Sequence, residues 1–191
     1  MGELILVRHG ETEWARDGRH TGRTDVPLTP HGEEQARSLA PLLADRKVVL
    51  TLVSPALRAR RTAELAGLSA AETDERLWEW DYGAYEGRTT PEIREERTGW
   101  YLWRDGVIGG ETIEQVGTRV DGALDRVRPH LADGDVALVA HGHVLRVLAA
   151  RWLGLPPADG RLFKLSTGTL STLGIEHDVP VISSWNVPAR T

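Results

Sequence analysis

The chain has 191 residues, a net charge of −5 and no cysteine. That length suits one large domain spanning 1–191, able to bury roughly 70% of its unfolded surface without covalent staples; the missing cysteine excludes disulfide and thiol chemistry, and no cofactor or metal is expected. The acidic balance argues against nucleic acid as a partner. No apolar run approaches the ~20 residues that cross a membrane, and Met1-Gly2-Glu3 carries neither the basic nor the apolar region of a secretory signal, so a cytoplasmic protein acting on a small molecule is expected.

In chain order, Glu3 to Val7 is short and mostly apolar, as a buried strand is, and Arg8-His9-Gly10 follows its carboxyl end. Thr29-Pro30, Ser54-Pro55 and Thr90-Pro91 each place a hydroxyl N-cap before a proline at the first helical position. Helices are predicted from Glu33 to Leu43, from Leu57 to Ala66 and from Thr112 to Leu131. In the last, Val116, Val120, Leu124, Val127 and Leu131 recur at helical spacing as one buried stripe. Val48–Val53 and Val136–Ala140 read as strands buried on two faces, Thr169 to Ile175 as a late strand, and Pro180 to Trp185 as an edge strand. Alternating strands and helices predict a three-layer α/β/α sandwich around a mostly parallel sheet. Residues 78–108 break the rhythm and hold Trp78, Trp80, Trp100 and Trp103 beside Tyr82, Tyr85 and Tyr101. This excursion is either a local apolar core or a lid whose polar tips shape a pocket.

Arg8, His9, Arg58 and His141 all follow strands that should be parallel, and ligands bind outside the carboxyl ends of such strands. Two guanidinium forks, two imidazoles and a helix N-terminus at one point make an anion site, best matched by a phosphoryl group. A neutral imidazole among cations has its proton affinity lowered and stays nucleophilic. His9 fits that role, with one ring nitrogen attacking and the other donating to a backbone carbonyl. The product is a phosphohistidine that water can hydrolyse.

The segments Arg8-His9-Gly10, Ser54 to Ala59, Glu79-Trp80-Asp81-Tyr82-Gly83 with Glu86-Gly87, Gly109-Gly110-Glu111-Thr112 and Ala140-His141-Gly142-His143 resemble, in order and nearly end to end, the histidine phosphatase family. This family is also called phosphoglycerate mutase-like. The resemblance implies its fold, with His9 as the phosphorylated residue, Arg8, Arg58 and His141 clamping the phosphoryl oxygens, and Glu79 as proton donor to the leaving group, with Asp81 as the fallback. It also implies that Thr21-Gly22 lies in a loop that closes over the substrate. Trp80 and Tyr82 flank Glu79 and could line the substrate wall. Gly142 and His143 belong to the matched motif, and His143 and His177 could reach the pocket, whereas Glu11 and Thr12 are expected to hold the loop.

Mutases of the family commonly read Trp-Asn where this chain has Trp14-Ala15, and carry a longer excursion with paired arginines where this chain has only the scattered Arg88, Arg94, Arg97 and Arg104. The resemblance is nearest to the sugar-bisphosphatase and small acid phosphatase branches. A metal-independent phosphatase acting on phosphorylated metabolites is therefore expected. A phosphoglycerate mutase and a non-catalytic phospholigand-binding protein stand as alternatives, and the lid aromatics could equally serve a homodimer.

Overall fold

The computed structural model describes residues 2–68 and 70–188. Its elements are β1 (Leu4–Arg8), α1 (Glu13–Arg16), α2 (Pro30–Ser38), α3 (Ala40–Leu43), β2 (Val48–Val53), α4 (Leu57–Leu65), β3 (Glu72–Thr73), α5 (Thr90–Glu96), α6 (Leu102–Asp105), α7 (Ile113–Val127), β4 (Asp135–Ala140), α8 (Gly142–Trp152), β5 (Thr169–Glu176) and β6 (Val179–Pro188). Six strands form one sheet in the order β3-β2-β4-β1-β5-β6. The first four are mutually parallel, whereas β5 runs antiparallel to β1 and β6 antiparallel to β5.

Strand alternation divides the core between the two faces. Leu4, Leu6, Val136 and Leu138 pack with Val116, Val120, Leu124 and Val127 of α7 and with Val144, Leu145 and Leu148 of α8. Ile5, Val7, Ala137 and Val139 pack on the other face with Leu39 and Leu43, and with Ala59 and Ala63 of α4. Helices thus cover both faces, as the alternating pattern predicts. The predicted stripe on α7 is buried throughout, yet the α-helix stops at Val127 and continues as a 3-10 turn through Ala132. Pro129 has no N–H to give and its ring crowds the carbonyl four residues back. Pro41 acts in the same way on the expected Glu33 to Leu43 helix, which breaks into α2 and α3 at Leu39.

Of the three expected caps, only Thr29 caps as predicted, accepting from the Gly32 N–H. The cap of α5 is Thr89 rather than Thr90, because Glu92 lies three residues beyond it and closes a reciprocal capping box. Ser54 caps no helix: α4 begins at Leu57, whose N–H donates to Asp25 Oδ1 at 2.7 Å. The cap of α4 comes from a distant loop, and the Ser54 hydroxyl, which accepts from the Ala56 N–H at 3.4 Å ahead of the helix, faces the site.

Register sets the level at which the site is built. Arg8 lies opposite Ala140 and Val53 opposite Val139, and the His9 and Ser54 N–H groups donate to the Ala140 and Val139 carbonyls, each at 3.0 Å. Arg8, His9, Ser54 and His141 therefore emerge side by side from three adjacent strands. His177 sits in the β5–β6 turn, where it and Asp178 have positive φ of 48° and 65°. Since β5 is antiparallel to β1, that turn lies at the opposite edge of the sheet, and His177 takes no part in the pocket. The 78–108 excursion does not form a core of its own: Trp80, Trp100 and Trp103 are buried in the same cluster as α7 and α8, with the Trp80 and Trp103 rings 5.7 Å apart, edge to face.

Loss of the α4 cap in Asp25→Ala is expected to lower unfolding free energy by about 1 kcal/mol, read from urea unfolding, while Ser54→Ala leaves the helix content of α4 intact. A Ser54→Ala protein with lower helicity than Asp25→Ala would contradict this assignment.

Candidate active site

Arg8 ends β1 with its guanidinium against the start of α8. A Cβ on Gly142 would lie 3.1 Å from Arg8 Cζ, so glycine there makes room for the charge. Nη1 donates to the Leu165 carbonyl at 2.5 Å, while Nε is buried with no hydrogen-bond partner among the described residues. A buried donor left unpaired costs free energy, and beside a cleft it marks where an acceptor belongs.

His9 is 4% exposed. Its Nδ1 lies 2.7 Å from the Gly10 carbonyl, which can only accept, so Nδ1 carries the proton and Nε2 keeps an unshared lone pair. Burial, reinforced by the Arg58 and Arg8 charges, pushes its pKa well below the ordinary imidazole value. The supporting peptide is pinned: the Gly10 N–H donates to Thr62 Oγ1 at 3.1 Å and the Gly168 N–H to the His9 carbonyl at 3.0 Å. A Cβ on Gly10 would stand 2.1 Å from the Gly32 carbonyl, which explains the glycine of the motif.

Behind this pair, Arg58 and His141 are both fully buried. Arg58 Nε donates to His141 Nδ1 at 3.2 Å, so the imidazole proton is on Nε2 and points to Ser54 Oγ at 2.7 Å. Burial, and then Arg58, lowers the His141 pKa well below its usual value. The remaining Arg58 bonds go to the carbonyls of Thr21, Gly22 and Thr24 at 3.2, 2.9 and 2.9 Å. That loop is in turn held by Glu86, which accepts from the Gly22 and Thr24 N–H groups. Most donors of Arg58 and His141 are thus committed to the protein, and neither residue lines the cleft, where Arg8 and His9 are presented directly.

Glu79 does line the cleft and is 5% exposed. Its carboxylate accepts from the N–H groups of Trp80, Val144 and His143 at 2.9, 2.9 and 3.0 Å, closing the N-terminus of α8. Asp81 is engaged with the Gly83 N–H and lies outside the cleft. Tyr82 and His143 form one wall: the Tyr82 hydroxyl lies 2.5 Å from His143 Nδ1. Burial raises the Tyr82 pKa well above its usual value and lowers that of His143 well below, so the phenol is the donor and the imidazole the acceptor.

The cleft, of about 190 Å³, is lined by Arg8, His9, Thr21, Glu79, Tyr82, Gly142 and His143 among the expected residues, and by Arg19, His20 and Arg146 among those not singled out. Arg146 follows Gly142 by four positions, one turn along α8 on the same face, and that spacing was the available signal. Two expected wall residues lie elsewhere. Trp80 is wholly buried with its indole N–H on the Glu111 carbonyl at 2.8 Å, and Gly22 spends both backbone groups on Glu86 and Arg58. Thr12 caps α1 and Glu11 accepts from the Thr29 hydroxyl, so both hold the loop as expected. Among the described residues no three His, Cys, Asp or Glu side chains gather in an arrangement suited to a metal ion.

An incompletely bonded guanidinium beside a neutral imidazole with a free lone pair, at the carboxyl edge of a parallel sheet, fits an enzyme class that handles phosphoryl groups. Residues 4–188 match the model of the histidine phosphatase superfamily, branch 1. The chain is 43% identical over 178 residues to an acid phosphatase of Mycobacterium tuberculosis (strain H37Rv), covering 92% of this chain and 88% of that protein. It is 39% identical over 182 residues to sedoheptulose 1,7-bisphosphatase of Saccharomyces cerevisiae, covering 79% of this chain and 67% of the yeast protein. A solved structure of an open reading frame from Mycobacterium tuberculosis superposes with a TM-score of 0.95 at 40% identity, covering 99% of each chain. The chain belongs to the histidine phosphatase superfamily; the two relatives named above are phosphatases, consistent with hydrolysis of small phosphate esters, and further relatives 32% identical over 196 residues are named probable phosphoglycerate mutase, one from Salmonella paratyphi A covering 98% of this chain and 91% of that protein. No helix among the described residues is long and apolar enough to cross a membrane.

The buried imidazoles make stability pH-dependent. Burial lowers His20 from 6.5 to about 4, so between these values the unfolded chain binds more protons than the folded one. Stability is full above about pH 6.5 and is lost as pH falls toward 4, by up to about 1.4 kcal/mol per pH unit for each such group. Urea unfolding at pH 7, 6 and 5 is expected to show this decline, and His20→Gln to make it shallower; an unchanged slope in the variant would contradict the assignment.

Proposed function

We propose that the protein hydrolyses small phosphate monoesters, sugar phosphates or bisphosphates, through a covalent phosphohistidine on His9 and without a metal. The observation that carries this reading is the pairing at the end of β1. Arg8 Nε is buried without an acceptor among the described residues, beside His9, whose tautomer is set by the Gly10 carbonyl so that Nε2 is the free nucleophile. A phosphoryl oxygen supplies the missing acceptor, and fixed cations stabilise the charge that develops on the transferring group.

The chemistry balances with the residues in place. The Nε2 lone pair of His9 forms the N–P bond while the ester P–O bond breaks, its electron pair passing to the departing oxygen, which takes a proton from Glu79. Water then attacks phosphorus and gives its proton back to Glu79; the P–N bond breaks and its electrons return to Nε2. The sum is ester plus water giving alcohol plus phosphate. Arg58 and His141 act from one layer behind, adding positive charge and keeping the loop at 21–24 against the site. Tyr82 and His143 offer a sugar an apolar ring face with polar edges, and Arg19 and Arg146 on the cleft lining would meet a second phosphate.

His9→Ala is expected to lose turnover by roughly 10³-fold or more while keeping a native unfolding transition. Phosphate release, followed with chelator present across sugar phosphates, sugar bisphosphates and phosphoglycerates, identifies the substrate, and acid-labile, base-stable labelling of the wild type marks the phosphohistidine. Full activity in His9→Ala, or phosphoglycerate isomerisation faster than phosphate release, would overturn the reading.

A further inference from the structure

The Gly109-Gly110-Glu111-Thr112 segment touches no part of the cleft, yet it is bound to the strand of chain that carries Glu79. Residues 78–82 belong to neither helix nor strand, so no ladder of their own fixes where Glu79 stands. Arg119, on α7, supplies the missing frame. Its Nη1 donates to the Arg76 and Trp78 carbonyls at 2.7 and 2.6 Å, and its Nη2 to the Glu79 carbonyl at 3.1 Å. The remaining two donors, Nε and the second Nη2 hydrogen, form a paired fork on the Glu111 carboxylate at 2.7 and 2.9 Å. All five guanidinium donors are thereby committed.

Glu111 completes the grip. Its Oε2 accepts from the Asp81 N–H at 2.9 Å, its carbonyl accepts from the Trp80 indole at 2.8 Å, and its own N–H donates to the Asp81 carbonyl at 3.0 Å. A Cβ on Gly110 would lie 2.1 Å from that Asp81 carbonyl, so glycine is what allows the two segments to approach. The Arg119 and Glu111 side chains are 15% and 18% exposed, an ion pair largely withdrawn from water. Glu79 is therefore gripped twice: its carboxylate by the α8 N-terminus, and its backbone by Arg119 and Glu111.

We propose that Arg119 and Glu111 are positioning residues that set the reach of the Glu79 carboxyl toward the leaving-group oxygen, an inference that rests on the reading of Glu79 above. Proton transfer needs the two heavy atoms within about 2.6–3.2 Å, and a displacement of about 1 Å costs on the order of 10²-fold in rate. Loosening the backbone grip should therefore harm the proton-dependent step while leaving the attack of His9 intact.

The test compares the phosphorylation half-reaction, in a single turnover, for phenyl phosphate, whose strongly basic phenolate needs the proton, and 2,4-dinitrophenyl phosphate, whose weakly basic phenolate does not. Arg119→Met and Glu111→Gln are expected to slow phosphorylation by phenyl phosphate by about 10–100-fold and to leave the dinitrophenolate burst within about 3-fold, with Arg119→Lys falling between Arg119→Met and wild type. Equal losses on both probes, or none on either, would overturn the positioning role. Glu79→Gln is the reference. If it shows no selectivity between the probes, the assignment of Glu79 itself fails; if it is selective and the Arg119 and Glu111 variants are not, only the positioning role fails. Should Arg119→Met not fold, Glu111→Gln and Arg119→Lys carry the same comparison.

Discussion

At the carboxyl edge of the central strands Arg58 is fully buried and Arg8 half-buried beside the cleft, and neither makes an ion pair with a described residue. Withdrawing a charge from water without an opposite charge is costly, and the surroundings of the site reduce that cost without neutralising it. Backbone carbonyls from Leu165, Thr21, Gly22 and Thr24 solvate the cations. Glycines at 10 and 142 let backbone and guanidinium approach more closely than any side chain would allow. Burial, reinforced by the residual positive potential, keeps the imidazoles of His9 and His141 neutral, and it is that potential a phosphate dianion would complete.

Glu79 sits at the meeting of opposing demands in this field. Its carboxyl oxygens accept from the exposed N–H groups of α8, and within the proposed reaction the same group gives a proton to the departing oxygen. A carboxyl in such a place needs an exact distance rather than mobility, and the excursion provides it. Trp80, Trp100 and Trp103 bury the apolar side of the segment, while Glu86 reaches the loop at 21–24 that solvates Arg58. The excursion thereby holds both the acid and the loop beneath the cations, and it does so as part of the main core, into which Trp80 packs, while Tyr82 also reaches the cleft wall.

The amino-acid sequence alone determined the main strands, the two-faced sandwich and the grouping of Arg8, His9, Arg58 and His141, while Glu79 was reached only through the resemblance of its motif. Hydrophobic periodicity is local, and strands that share a direction bring their carboxyl ends to one edge whatever the loops do. The sequence also assigned His9 one bonded and one free ring nitrogen, but that Nδ1 is the bonded one, held on the Gly10 carbonyl, is read from the folded chain. Tertiary structure decided what depends on partners far apart in the chain. Asp25, and not Ser54, caps α4, and the Ser54 hydroxyl meets His141 across 87 positions. Trp80 turns inward because Glu111, 31 positions on, offers its indole a carbonyl. His177 is carried to the far edge by the antiparallel entry of β5, whose direction no local pattern encodes. Arg119 is an ordinary polar position on α7 until folding brings the carbonyls of residues 76, 78 and 79 to its guanidinium; hydrogen-bond pairing over such separations leaves no periodic trace, so only the folded chain reveals it.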